Sequence, residues 1–193
     1  MGIGVVSTMK SFKTTIITIV LVFAGIFAFI SFPWVGLFLH AVFQADPPMP
    51  KIKYGEFPFR IEYEINSERK VVEDTVICEF DNVEREPDIG GGKYRKWKDR
   101  LASGGELEIF LFTDGKSSVY YNAGRATYYM DDKDGKNNML YYQSNKYLSP
   151  CILYTNREDK SYLDIITAEE MMEKYKAKLI SWDFSEPIVN SFE

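Results

Sequence analysis

The chain has 193 residues, 46% apolar and 26% charged, a composition that supports one folded domain and excludes an intrinsically disordered one. Its formal charge is −5, and because the first 45 residues carry only Lys10 and Lys13, taking away their +2 leaves −7 on the remainder. An acidic domain lacks the clustered Lys and Arg that a phosphate backbone requires, so nucleic acid is excluded as a partner class.

In chain order, residues 1–13 form a short basic tail and residues 14–45 carry no charged side chain. Ile16 to Phe32 reads IITIVLVFAGIFAFISF, and a bilayer core needs roughly 20 apolar residues in a helix, so 14–45 is read as a transmembrane anchor. Pro33 is expected to kink or end that helix, and Trp34 suits the water interface. A cleavable signal peptide is the alternative, but the apolar run exceeds the usual core of about 7–15 residues and lacks a small-residue cleavage pattern. Lys10 and Lys13 on the short N-terminal side place the following domain outside the cytoplasm by the positive-inside rule. Asp46-Pro47-Pro48-Met49-Pro50-Lys51 reads as a stiff Pro-rich linker, a spacer of about 15 Å, and residues 52–193 as one extramembrane domain.

Within that domain Phe57, Phe59, Ile61, Tyr63 and Ile65 alternate with polar residues, which predicts a half-buried strand. A turn at Asn66 to Glu68 leads to a second strand with Val72, Val76, Cys78 and Phe80 on one face, forming a hairpin. Asp81 to Gly92 has loop chemistry. Lys93 to Arg100, KYRKWKDR, is the one strongly basic run, and Tyr94, Trp97 and Leu101 at i, i+3 and i+7 predict a short helix ended by Gly104-Gly105. Such a helix would offer its charges to lipid headgroups or an anionic polymer. Glu106–Phe112, Val119–Asn122, Thr127–Met130, Met139–Gln143 and Ile152–Thr155 read as further strands. Thr167-Ala168-Glu169-Glu170 is a capping box opening a helix, and Ile180, Trp182 and Phe184 mark a closing strand. The expected fold is α+β: the N-terminal transmembrane helix, then a mainly antiparallel β-meander with one or two short packed helices.

The chemistry is sparse. His40, the single histidine, lies at the end of the apolar segment, so the domain lacks the imidazole of Ser-His-Asp and Cys-His catalysis and of common zinc sites. Gly90-Gly91-Gly92-Lys93 is not a phosphate loop, because Pro87 and Tyr94 occupy its defining positions; Asp132, Asp134 and Gly135 likewise fail the calcium-loop spacing at Met130 and Tyr141. No cofactor and no metal is expected. Glu84, Glu86 and Asp88 are an acid cluster in predicted loop. Cys78 and Cys151 either pair in an oxidising compartment or stand as separate buried thiols.

Nine of the thirteen tyrosines fall between Tyr120 and Tyr162. In the doublets Tyr120-Tyr121, Tyr128-Tyr129 and Tyr141-Tyr142 one ring of each would face outward from a strand, and because a single bulge flips the parity all six are ligand-contact candidates for a glycan or peptide surface. The plain alternative is that tyrosine favours strands.

The layout of KYGEFPFRIEYEI, VVEDTVICEFD, KYRKWKDRLASG and AKLISWDFSEPIVNSF resembles uncharacterised single-pass membrane proteins of Gram-positive, Firmicutes-type bacteria. That resemblance implies a bacterial cell-surface setting and no particular activity. The expectation is a membrane-tethered domain that binds an envelope polymer or a partner protein without catalysis. A carboxylate-dependent surface hydrolase and a structural accessory subunit of a membrane complex are the alternatives.

Overall fold

The computed structural model describes residues 3–86, 91–133, 149–156 and 163–193. By internal contacts the chain divides in two: residues 1–45 with 85–93, and residues 46–84 with 94–193. The first unit is dominated by α1 (Ile3–Phe43), a 41-residue helix that continues through Pro33. Proline therefore does not end it, in keeping with the tolerance of long apolar helices for an isolated lost donor. Its stretch Ile16–Leu39 is long and apolar enough to cross a membrane, with the composition of an anchor or a signal sequence, and side chains such as Phe27 and Phe29 are exposed along it.

The second unit is α+β, and its described strands form two four-stranded sheets. The first has the order β3-β2-β1-β8, from β1 (Tyr54–Ile65), β2 (Glu68–Arg85), β3 (Lys93–Leu101) and β8 (Ala177–Phe184). The second is a meander, β4-β5-β6-β7, from β4 (Glu108–Thr113), β5 (Ser117–Asn122), β6 (Cys151–Asn156) and β7 (Leu163–Ile165). Among the described residues two short helices accompany them, α2 (Ala126–Tyr129) and α3 (Ala168–Tyr175).

The first hairpin follows the sequence reading closely. Phe57, Phe59, Ile61 and Tyr63 are all buried, and β1 meets β2 antiparallel with Ile65 opposite Glu68. The two residues between them, Asn66 and Ser67, have φ of 52° and 62°, the left-handed pair that a two-residue turn needs to match strand twist. β2 runs on to Arg85, through residues read as loop, because its acids pair with the next strand.

That strand is β3, where the sequence predicts a helix. With period 2, Arg95, Trp97, Asp99 and Leu101 share one face and Tyr94, Lys96, Lys98 and Arg100 the other. Lys98 contacts Asp81 at 2.6 Å, Lys96 contacts Glu84 at 2.5 Å, and the Tyr94 hydroxyl donates to Glu84 at 2.9 Å. Cross-strand pairing with β2 thus replaces the solvated helical face. Gly104, at φ 74°, closes a turn after this strand, its N–H donating to the Leu101 carbonyl.

Aromatic rings fill the space between the sheets. Phe57 stacks on Tyr129 at 4.4 Å, Phe59 meets Tyr121 at 5.0 Å, and Tyr63 meets Phe112 at 5.8 Å while its hydroxyl donates to the Leu111 carbonyl. Burial of rings this size contributes on the order of 1.5–3 kcal/mol each and holds the sheets together, with Tyr129 of α2 sharing the same core. α3 opens as its sequence signals, with the Thr167 side chain accepting from Glu170 N–H and Glu170 accepting from Thr167 N–H. Met171 is its buried anchor.

Two corrections concern parity. Thr127–Met130 is not a strand: Ala126–Tyr129 forms one helical turn after Gly124, whose φ of 89° no strand residue adopts. On β8, Ile180 is the extra residue of a bulge, since Glu62 pairs Ser181 and Tyr63 pairs Leu179. Ile180 therefore turns outward, 39% exposed, while Leu179, Trp182 and Phe184 pack on the core. The predicted strand Met139–Gln143 lies outside the described residues.

Candidate functional site

The two tyrosine doublets among the described residues each join a fully buried ring to a half-buried one. Tyr121 and Tyr129 are fully buried, Tyr121 against Phe59 and Trp182, Tyr129 against Phe57 with its hydroxyl donating to the Ala123 carbonyl at 2.7 Å. Neither touches solvent, so neither is a ligand contact; tertiary packing of the two sheets claims both rings. Tyr128 is half-buried and lies edge-on to Tyr129 at 5.1 Å. Tyr141 and Tyr142 lie outside the described residues.

Tyr120 is different. It points away from the inter-sheet core, half-exposed, with its ring edge-on to Phe110 at 5.7 Å, and Phe110 is 52% exposed. The bulge between Phe110 and Phe112 brings this about: Leu111 takes the extra place and is buried, while Phe110 stays opposite Tyr120 on the outer face.

Tyr120 also lines a cleft of about 500 Å³ with Asp99, Glu106, Glu108, Asn122 and Arg125. β3 supplies Asp99, the start of β4 supplies Glu108, and β5 supplies Tyr120 and Asn122. Asp99 accepts the Ala126 N–H at 3.1 Å and lies 3.7 Å from the Arg125 guanidinium, so it caps the α2 turn and holds Arg125 at the cleft. Asn122 is buried and its Oδ1 accepts the Gly124 N–H at 2.9 Å, fixing the exit of β5. The cleft thus joins the Tyr120 ring to an acidic rim, with Arg125 the one cation among the described lining residues. Its polar members were not singled out in the sequence. The usable signals were Asp99 as the one acid inside a basic run and the i, i+2 pair Glu106 and Glu108.

The acid cluster Glu84, Glu86, Asp88 does not assemble a site among the described residues. Glu84 is taken up by Tyr94 and Lys96, Glu86 is exposed, and Asp88 lies outside them. A second shallow hollow of about 570 Å³ contains Arg60, Glu73, Asp74 and Asp183. Burial pushes the Asp74 carboxyl up, but hydrogen bonds from the Ser103 hydroxyl and from the Thr75, Ser103 and Ala102 amides outweigh it and hold the group below its ordinary range. Asp74 is in this way the anchor of the turn after β3.

Cys78 and Cys151 are buried thiols, one in each sheet, with no disulfide between them. Burial pushes the Cys78 thiol far up from 9.0, Cys151 up to about 12, and the Tyr121 hydroxyl from 10.0 up to about 12. The folded state holds each group protonated, so with rising pH the unfolded chain ionises first. Stability from these groups is complete below about pH 9 and is lost progressively toward pH 12. Urea unfolding across that range is expected to be flat to about pH 8.5 and then to fall steadily, the unfolded thiol ionising near there. A profile still flat at the upper end would mean these groups are solvated.

Compared with family models, curated proteins and solved structures, the chain matches none. What fold and site define is an antiparallel two-sheet domain with an aromatic-walled, acidic cleft, borne on a chain that begins with a long apolar helix.

Proposed function

We propose that this chain is a single-pass membrane protein whose domain stands outside the cytoplasm and binds an envelope component without transforming it. The observation that carries the binding reading is the cleft at Tyr120, where one half-exposed ring adjoins Phe110 and a polar rim. Flat rings offer contact area at small rotamer cost, and Glu106 and Glu108 supply acceptors for hydroxyls, a combination suited to a hydroxyl-rich glycan. Lys10 and Lys13 ahead of the apolar helix support the outward orientation. The resemblance to Gram-positive surface proteins supports the same setting.

A carboxylate-dependent hydrolase would need a carboxyl held protonated near neutral pH. In the cleft Asp99 is already engaged by the Ala126 N–H and the Arg125 guanidinium, so it serves the α2 turn rather than a substrate proton. The binding reading is therefore preferred.

Retention of the detergent-solubilised chain on isolated cell-wall material tests it. The double change Phe110→Ser with Tyr120→Ser is expected to reduce retention at least tenfold, corresponding to about 1.4 kcal/mol or more. Retention equal to wild type would reject the cleft as the binding surface. Protease added to intact cells tests topology separately: the domain should be cut, and protection until lysis would reverse the orientation.

A further inference from the structure

The Pro-rich stretch is bound to the other end of the domain. Met49 N–H donates to the Glu193 carbonyl at 2.7 Å and Glu193 N–H donates back to Met49 at 3.0 Å. Lys51 N–H donates to the Ser191 carbonyl at 2.9 Å, and Pro50 lies opposite Phe192 as an isolated antiparallel bridge. Asn190, buried, completes the ladder with its side chain: Oδ1 accepts Ile52 N–H at 3.0 Å and Nδ2 donates to the Ile52 carbonyl at 2.9 Å. Arg95 sits over this join. Its guanidinium lies 4.3 Å from the centre of the Phe192 ring and donates to the Pro48 carbonyl at 3.1 Å.

We infer that residues 190–193 are a clasp that fastens Pro48–Ile52 to the domain and so sets the length of its tether to the apolar helix. With the clasp closed, four residues, Gln44 to Pro47, separate Phe43 from the first fastened residue. Five Cα steps reach about 17 Å at most; with the clasp open the chain is unfastened until Lys53, whose carbonyl accepts the Phe80 N–H at 2.8 Å, and its ten steps reach about 34 Å. Closing it therefore halves the reach. The ion pair of Lys51 with Glu193 is exposed and adds little. The backbone ladder, Asn190 and the Arg95–Phe192 contact are the holding elements, the last because a guanidinium over an aromatic face is attracted to the ring.

Amide hydrogen exchange on the full chain in detergent micelles tests the clasp. In wild type the amides of Met49, Lys51 and Ile52 should be protected. In Phe192→Ala, and independently in Asn190→Ala, their exchange should accelerate at least tenfold while Val119 and Tyr121 in β5 keep wild-type protection. Unchanged exchange at residues 49–52 in both variants would overturn the clasp. So would equal acceleration in β5, because the segment would then be part of the global core rather than a separable fastening.

Discussion

Replacing Asp132 by alanine is expected to lower folding stability by about 3–5 kcal/mol, the usual cost of stranding one member of a buried ion pair. Arg95 and Asp132 are both almost wholly inaccessible, and they meet through two parallel contacts, Nε to Oδ2 at 2.9 Å and Nη2 to Oδ1 at 2.6 Å. The Trp97 indole N–H adds a third donor to Oδ2 at 2.7 Å. Removing the carboxylate leaves a guanidinium and an indole N–H in the interior with that acceptor gone. Chemical unfolding of the full chain in micelles measures the loss. The double change Arg95→Met with Asp132→Leu removes both charges at similar volume and is expected to regain most of the stability. A single-variant loss under about 1 kcal/mol, the range of exposed pairs, would show that water reaches the site.

The contrast within one doublet is the second large effect. Tyr121→Ala is expected to cost about 3–5 kcal/mol, since its ring is buried against Phe59 and Trp182 and its removal opens a cavity. Tyr120→Ala, one position away, should cost no more than about 1.5 kcal/mol, the worth of an edge-on aromatic contact. The two losses are measured by the same unfolding titration. Equal losses would make Tyr120 a core residue and would remove the aromatic wall from the proposed binding surface.

What the sequence determined by itself were features written in one local pattern. The apolar run of α1 has too few polar groups to be anything but a long helix. The β1–β2 hairpin has strict alternation on both sides of Asn66-Ser67, so period and turn agree. The capping box at Thr167 and Glu170 is complete within four residues.

The tertiary structure decided everything that depends on a partner distant in sequence. In β3 the buried face carries Arg95 and Asp99 beside Trp97 and Leu101, so a polarity pattern cannot reveal the period. Tyr94, Trp97 and Leu101 fall at helical spacing by coincidence, while Asp81 and Glu84 on β2 select the strand by pairing its lysines. Alternation alone implies that one ring of Tyr120-Tyr121 faces inward. Which one depends on register, because a single extra residue reverses the faces, as the bulges at Leu111 and Ile180 demonstrate. The cleft is assembled from β3, β4 and β5, and its parts meet only when the two sheets close on their aromatic core. The same holds for the clasp, whose two halves lie at opposite ends of the domain's sequence.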